Sequence, residues 1–210
     1  MEGVYINLNS REDRREHFEF NVKNHTFFKK INHMSAIKSL DGSIGCGLSH
    51  IKALQLYENS ENPYIAILED DFMILDKPQL TDFIKGFNRI KHLDEWKVIV
   101  LTPRGSSMSH TNEITDCGFK RIRENQTTTG YIIKREMIPI LIKNIKEAIH
   151  LQMKGGDKNI CSIDQYWKRL QEEYPFYYYS GIFAGQLPGW SDIEGRIVDY
   201  NDRFLKQHLF

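Results

Sequence analysis

The chain has 210 residues, 40% hydrophobic and 27% charged, which is the composition of an ordinary globular protein long enough for one sizeable domain over residues 1–210. Lysine plus arginine equals aspartate plus glutamate at 28 each, so the formal charge is zero; a general nucleic-acid binder needs a basic excess to displace counterions and is disfavoured. No apolar run approaches the roughly 18 residues of a membrane span, no signal peptide is visible at Met1 to Asn9, and Cys46, Cys117 and Cys161 are too few and scattered for a disulfide framework or a zinc site.

The odd cysteine count fits a reducing compartment, cytoplasmic by default. Val4 to Leu8 reads as a buried strand, and Ser10 offers an N-cap for a charged helix running to about Asn21. Ile31 to Ile37 is a second strand. After the Asp41-Gly42 turn, apolar residues at 44, 48, 51, 54 and 57 predict a helix over Ile44 to Tyr57. Tyr64 to Leu68 is the clearest buried strand, and it runs directly into Glu69-Asp70-Asp71. A helix follows over Leu80 to His92, then strands at Trp96 to Leu101, Phe119 to Arg123 and Tyr131 to Ile133. Ile138 to Ile149 reads as an amphipathic helix with Pro139 in its first turn, where a missing N–H costs nothing. Residues 154–158 form a loop by composition, Ile163 to Glu173 a helix, Phe176 to Tyr179 a strand, and Gln186 to Gly195 a loop. Alternating strands and helices predict an α/β layered sheet, whose ligands gather beyond the carboxyl ends of the strands.

Three carboxylates in a row repel one another and lose hydration when buried, so together they favour a cation. Mg²⁺ and Mn²⁺ take oxygen ligands and bridge to phosphates. Taken alone, such a triplet is more often a solvated turn. Gly45 and Gly47, in Ile44-Gly45-Cys46-Gly47-Leu48-Ser49-His50, would let backbone approach a ligand near a helix N-terminus. Arg11, Arg14 and Arg15 follow the first strand and suit phosphate geometry, although surface charges and a hydrogen-bonded core His50 explain the same residues.

Taken in order, these segments resemble glycosyltransferase family 25, which includes bacterial lipooligosaccharide galactosyltransferases and collagen hydroxylysine glycosyltransferases. The matching pieces are Val4 to Leu8 with Arg11 and Arg14-Arg15, Gly45 to His50, Ile67 to Asp71, Trp96 to Leu101, Thr129 to Ile133, Ile163-Asp164, Gln186, and Ser191-Asp192-Ile193. A proline that usually precedes the aspartate at 164 in that family is missing. The resemblance implies a single-domain glycosyltransferase A fold, a mixed and mostly parallel sheet flanked by helices. It implies metal-dependent transfer of galactose or glucose from a UDP-sugar to a hydroxyl, with Mn²⁺ or Mg²⁺ on Asp71 and Asp70. Donor contacts would fall to Asn7, Leu8, Arg11, Arg14, Gly45, Ser49, His50, Glu69, Asp70, Gln186 and Ser191.

An inverting transfer needs a base for the acceptor hydroxyl, and Asp164 and Asp192 are the candidates. Asp164 reads equally as the N-cap of its helix. Trp190 is the candidate acceptor platform, whereas Tyr177 to Tyr179 suit a core strand. The tail, residues 201–210, carries only Arg203 and Lys206 as fixed positive charges. That favours a collagen-like hydroxylysine or galactosyl-hydroxylysine over lipooligosaccharide as acceptor. Phe204, Leu209 and Phe210 would suit a homodimer or a further domain. The rival classes are a phosphotransferase using the same metal turn and a non-catalytic nucleotide-sugar-binding relative.

Overall fold

The computed structural model describes residues 1–104, 111–114, 117–191 and 193–200. Its first part runs β1 (Glu2–Asn7), α1 (Glu12–Phe18), β2 (Lys30–Ser35), α2 (Gly42–Gln55), β3 (Tyr64–Glu69), β4 (Phe72–Ile74), α3 (Lys77–Ile90), β5 (Val98–Val100), β6 (Thr111–Ile114), β7 (Phe119–Arg121) and β8 (Gly130–Lys134). The remainder is α4 (Ile138–Met153), α5 (Lys158–Cys161), α6 (Ile163–Tyr166), α7 (Lys168–Glu173), β9 (Phe176–Tyr179), β10 (Ala184–Gln186), β11 (Gly189–Ser191) and β12 (Arg196–Val198).

The main sheet has the order β2-β1-β3-β8-β5-β9-β7-β6. Among the described strands of this sheet, only β8 and β7 run against the rest, so it is mixed and mostly parallel. Side chains alternate across it. Val4 and Ile6, Ile65 and Ile67, Val98 and Val100, and Tyr131 and Ile133 face one core, packed by Ile51 and Leu54 of α2 and Leu141 and Ile145 of α4. Tyr5, Ala66, Leu68, Ile99 and Ile132 face the other, with Phe18 of α1 and Leu80, Phe83 and Phe87 of α3. Each fully buried large apolar side chain contributes about 1.5–3 kcal/mol relative to exposure. This two-faced burial explains why the central strands read as continuous apolar runs.

Local chemistry fixes the ends. The side chain of Asp41 accepts from Ser43 N at the start of α2, and that of Asp76 accepts from Gln79 N at the start of α3. Arg11, not Ser10, occupies the cap position of α1, and its backbone N–H turns back to the Leu8 carbonyl at 2.8 Å. The helix expected over Ile163 to Glu173 is interrupted at Trp167. Its buried indole donates to the Asn125 carbonyl at 2.8 Å and packs edge-on against Tyr131 and Phe176. The segment Gln186 to Gly195 is not simply a loop. Gln186 ends β10, which pairs antiparallel with β4, and β11 pairs with β12 in a separate hairpin that turns through Gly195 at φ +63°. No helix among the described residues is long and apolar enough to cross a membrane.

Candidate active site

The parallel pairing of β1 with β3 sets Ile6 opposite Glu69, so Asn7 and the acidic triplet emerge at one edge of the sheet. Antiparallel β8 brings Gly130 opposite Leu68, which delivers Thr128 and Thr129 to the same edge. The β10–β4 pairing sets Gln186 opposite Phe72, beside Asp71. These elements bound a cleft of about 390 Å³ lined by, among others, Arg14, His50, Glu69, Asp70, Asp71 and Gln186.

Each acid has its own partners. Asp70 accepts from Asn7 Nδ2 at 2.8 Å and from Arg14 Nη1 at 2.9 Å. Arg14 Nη1 lies 3.6 Å from Asp71 Oδ2, and its Nη2 donates to the Trp190 carbonyl at 2.7 Å. Asp71 Oδ2 accepts from Gln186 Nε2 at 2.8 Å, while Leu187 N donates to the Asp71 carbonyl. Glu69 Oε1 accepts from Thr128 Oγ1 at 2.8 Å and meets His50 Nε2 at 3.2 Å. The other nitrogen of His50 is 3.0 Å from the Tyr131 hydroxyl, and the two rings stack.

The electrostatics separate the three. Burial pushes the Asp71 carboxyl up to about 7, with Glu69 adding to the shift and Arg14 opposing it. Burial also raises Asp70, outweighing Arg14 and Asn7. Glu69 goes the other way: burial opposes its charge, but the hydrogen bond and charge of His50, with Thr128 and Arg14, hold it below the ordinary carboxylate value.

A hard cation fits Asp71. Its Oδ1 is buried and has no hydrogen-bond partner among the described residues, an unusual state for a carboxylate oxygen. A divalent ion would satisfy that oxygen and relieve the repulsion from Glu69 and Asp70. A second group with ligand atoms close together is Cys46, His50 and Glu69, mutually within 4.8 Å. Cysteine spacing alone does not reveal this group, because two of its three members are a histidine and a carboxylate.

Most of the expected donor residues converge. Leu8, Arg11, Arg14, Gly45, Ser49, His50, Glu69, Asp70, Gln186 and Ser191 all border the cleft. Asn7 stands behind it, holding Asp70 and the Arg11 carbonyl through Nδ2. Three of these residues also have contacts within the protein. Gly45 serves close packing: a Cβ there would lie 2.9 Å from the Ile37 carbonyl oxygen, so glycine lets residues 37–39 press against α2. The Ser49 hydroxyl donates to the Gly45 carbonyl and accepts from Ile37 N, so it anchors that same segment. Arg11 turns its guanidinium to Asp13.

Asp164 lies outside the cleft lining, at the second position of α6 after Ser162, so it is not the N-cap. Burial pushes its carboxyl up to about 6, with Arg104 opposing and Glu69 adding. The indole of Trp190 is half-exposed beside Ile197 across the hairpin and is not part of the lining, although its carbonyl anchors Arg14. Asp192 and the tail residues Arg203, Phe204, Lys206, Leu209 and Phe210 lie outside the described residues. Thr128 and the Tyr131 hydroxyl join the site without being singled out by sequence reasoning; the threonine run before Gly130 is the available signal.

The site is thus an acidic strand end on an α/β sheet, bordering a cleft and carrying one buried, unpartnered carboxylate oxygen on Asp71. Residues 21–160 match the family described as Glycosyltransferase family 25 (LPS biosynthesis protein). The match covers well over half of the sequence, so the chain belongs to that family and is a glycosyltransferase. No curated protein matches it by sequence. Among solved structures it is similar to a mannose-1-phosphate geranyltransferase from Thermus thermophilus, with 10% identity, TM-score 0.43, and coverage of 86% of this chain and 59% of that one. It is also similar to a UDP-glucose pyrophosphorylase complexed with UDP-glucose, at 12% identity, TM-score 0.47, and coverage of 88% and 74%. A UDP-glucose pyrophosphorylase from Acinetobacter baumanii gives 11%, 0.45, 99% and 76%. Likenesses this remote carry no information on substrate or chemistry.

Proposed function

We propose that the protein transfers a hexose, galactose or glucose, from a UDP-sugar to a hydroxyl of a lipopolysaccharide-type glycan, with Mn²⁺ or Mg²⁺ held at Asp71. The observation that carries this reading is the unpartnered Asp71 Oδ1, buried at the head of a cleft whose neighbouring acids are already engaged. The family's description favours a lipopolysaccharide-type acceptor. The collagen-like alternative rests on residues 201–210, outside the described residues, and has no further support. The engaged acids favour an enzyme over a non-catalytic relative, whose expected mark is loss of this motif.

Asp71 would be the direct ligand, with Asp70 next to it; the ion would supply charge stabilisation to the departing UDP. Arg14 neutralises Asp70 and can fork to a phosphate oxygen without leaving the cleft. Asn7 and Gln186 fix the two aspartate carboxylates through Nδ2 and Nε2, so their orientation precedes ligand arrival. Glu69, held in its charged form by His50 and Thr128, suits donor ribose or sugar hydroxyls. Asp164 is the leading base for the acceptor hydroxyl, a role it can fill above about pH 6. Trp190 supports the acceptor side by presenting an aromatic face next to the cleft's Ser191.

A thermal-shift panel of UDP-, GDP- and CMP-sugars, each with and without Mn²⁺, tests this reading. UDP-hexoses with Mn²⁺ should raise the melting temperature most, because selective ligands stabilise the folded state. Equal shifts across nucleotides, or no dependence on Mn²⁺, would overturn it.

A further inference from the structure

The cleft contains two sets of cation ligands with different chemistry. Asp70 and Asp71 offer oxygen alone. Cys46, His50 and Glu69 offer a sulfur, an imidazole nitrogen and a carboxylate oxygen within 4.8 Å of one another. Sulfur and imidazole select borderline and soft ions such as Zn²⁺, whereas all-oxygen sets suit Mg²⁺ and Mn²⁺. We propose that Cys46, His50 and Glu69 form a second cation site, for a thiophilic divalent ion, distinct in ligand chemistry from the strand-end aspartates.

Three features support the assignment. Cys46 and His50 are one helical turn apart on α2, so one rigid element presents both ligands to the same side. The distal ring nitrogen of His50 is held by the Tyr131 hydroxyl at 3.0 Å, and Glu69 by the Thr128 hydroxyl at 2.8 Å. Outer hydrogen bonds of this kind orient histidine and carboxylate ligands in metal centres. All three ligands also border the cleft, which supplies an entry path.

The Tyr131 hydroxyl can donate or accept, so it suits either ring tautomer. In the neutral ring without an ion, His50 Nε2–H can donate to Glu69 while Tyr131 donates to Nδ1. With an ion, Nδ1–H donates to Tyr131 and the Nε2 lone pair binds the metal. The sulfur–hydrogen bond breaks as the sulfur–metal bond forms, and the proton goes to bulk water. Three protein ligands leave a fourth position for water, as in open tetrahedral sites. The site stands without the proposed UDP-sugar reading, although an occupant would commit Glu69 to the ion and away from a donor.

The test is titration of the whole protein with Co²⁺, a spectroscopic substitute for Zn²⁺, followed by displacement with Zn²⁺. A thiolate-to-cobalt charge-transfer band should saturate at one equivalent and vanish on adding Zn²⁺. It should be absent in Cys46→Ser, where Cys117 and Cys161 remain as internal controls. No band in the wild type, or the same band in Cys46→Ser, overturns the proposal. Should Cys46→Ser fail to fold by circular dichroism, Tyr131→Phe decides: loss of that outer hydrogen bond should weaken cobalt binding by about 10- to 100-fold, and unchanged binding overturns the site. The Mn²⁺-dependent thermal shift with UDP-sugars is read separately on the wild type. Its failure beside an intact cobalt band removes the donor reading and leaves this site standing.

Discussion

Arg14 reaches from α1 to the carbonyl of Trp190, 176 residues later, and the 2.7 Å bond between them is made by the guanidinium that also holds Asp70. One side chain thus joins the acidic strand end to the β11–β12 hairpin. Arg14 and Asp70 are both largely buried, with side-chain exposures of 14% and 11%.

Removing that cation leaves a buried carboxylate uncompensated. Arg14→Met should destabilise the fold by about 3–5 kcal/mol, the usual result of breaking one side of a buried pair. It should also speed amide exchange across residues 189–198. Urea denaturation and hydrogen exchange measure the two effects. A loss under about 1 kcal/mol, the scale of a surface pair, would show that Asp70 draws its compensation from elsewhere.

Asp71 should behave oppositely. Its folded-state carboxyl titrates at about 7, above the ordinary carboxylate value, because burial and Glu69 disfavour its charge. Its contribution is therefore fully present below about pH 4 and is lost as pH rises towards 7. In metal-free protein, wild type should lose stability relative to Asp71→Asn over that window, with the difference level above it. Mn²⁺ should stabilise the wild type at neutral pH and leave the variant unmoved. Paired melting curves at pH 4, 5.5 and 7 check both statements; a difference independent of pH removes the assigned strain.

Asp164→Asn should leave UDP-sugar affinity nearly unchanged and lower turnover by about a hundred- to ten-thousand-fold, the usual contribution of a general base. Asparagine can still accept a backbone N–H in the first turn of α6, where Asp164 stands, so helix stability should barely move. Wild-type kcat/KM should climb with pH through about 6 as the carboxyl ionises, and the variant should lack that limb. A fall of less than about tenfold, or a retained anomeric configuration in the product, would shift attention to Asp192 or remove the need for a base.

The central strands are legible in the sequence because both faces are buried. Ile65, Ile67, Val98 and Val100 serve one core while Ala66, Leu68 and Ile99 serve the other, leaving unbroken apolar runs. Glu69-Asp70-Asp71 is legible because polar residues after such a run mark a strand end. The short strands β4, β10, β11 and β12 are not, since, unlike Val98–Val100 within its longer apolar run, they lie among polar and glycine residues that read equally as loop. Gly45 and Ser49 read as ligand contacts; both border the cleft, and both also approach the backbone of Ile37 closely, a packing partner the local pattern does not reveal. A glycine signals proximity without naming what comes near. Thr128 and the Tyr131 hydroxyl escape a local reading because their importance depends on the antiparallel pairing of β8 with β3, a long-range choice that local pattern does not specify.

The pairing of β10 with β4 has a consequence for biosynthesis. Gln186 and Trp190 secure Asp71 and Arg14, and both emerge from the ribosome more than a hundred residues after the acids they help to hold. A nascent chain ending before Ala184 already contains β1, β3 and β8, but the cleft lacks one wall and Asp71 lacks its amide partner. Competence to grip a ligand in this cleft therefore waits for residues 184–191, and a translation product interrupted before them would leave its carboxylates open to water.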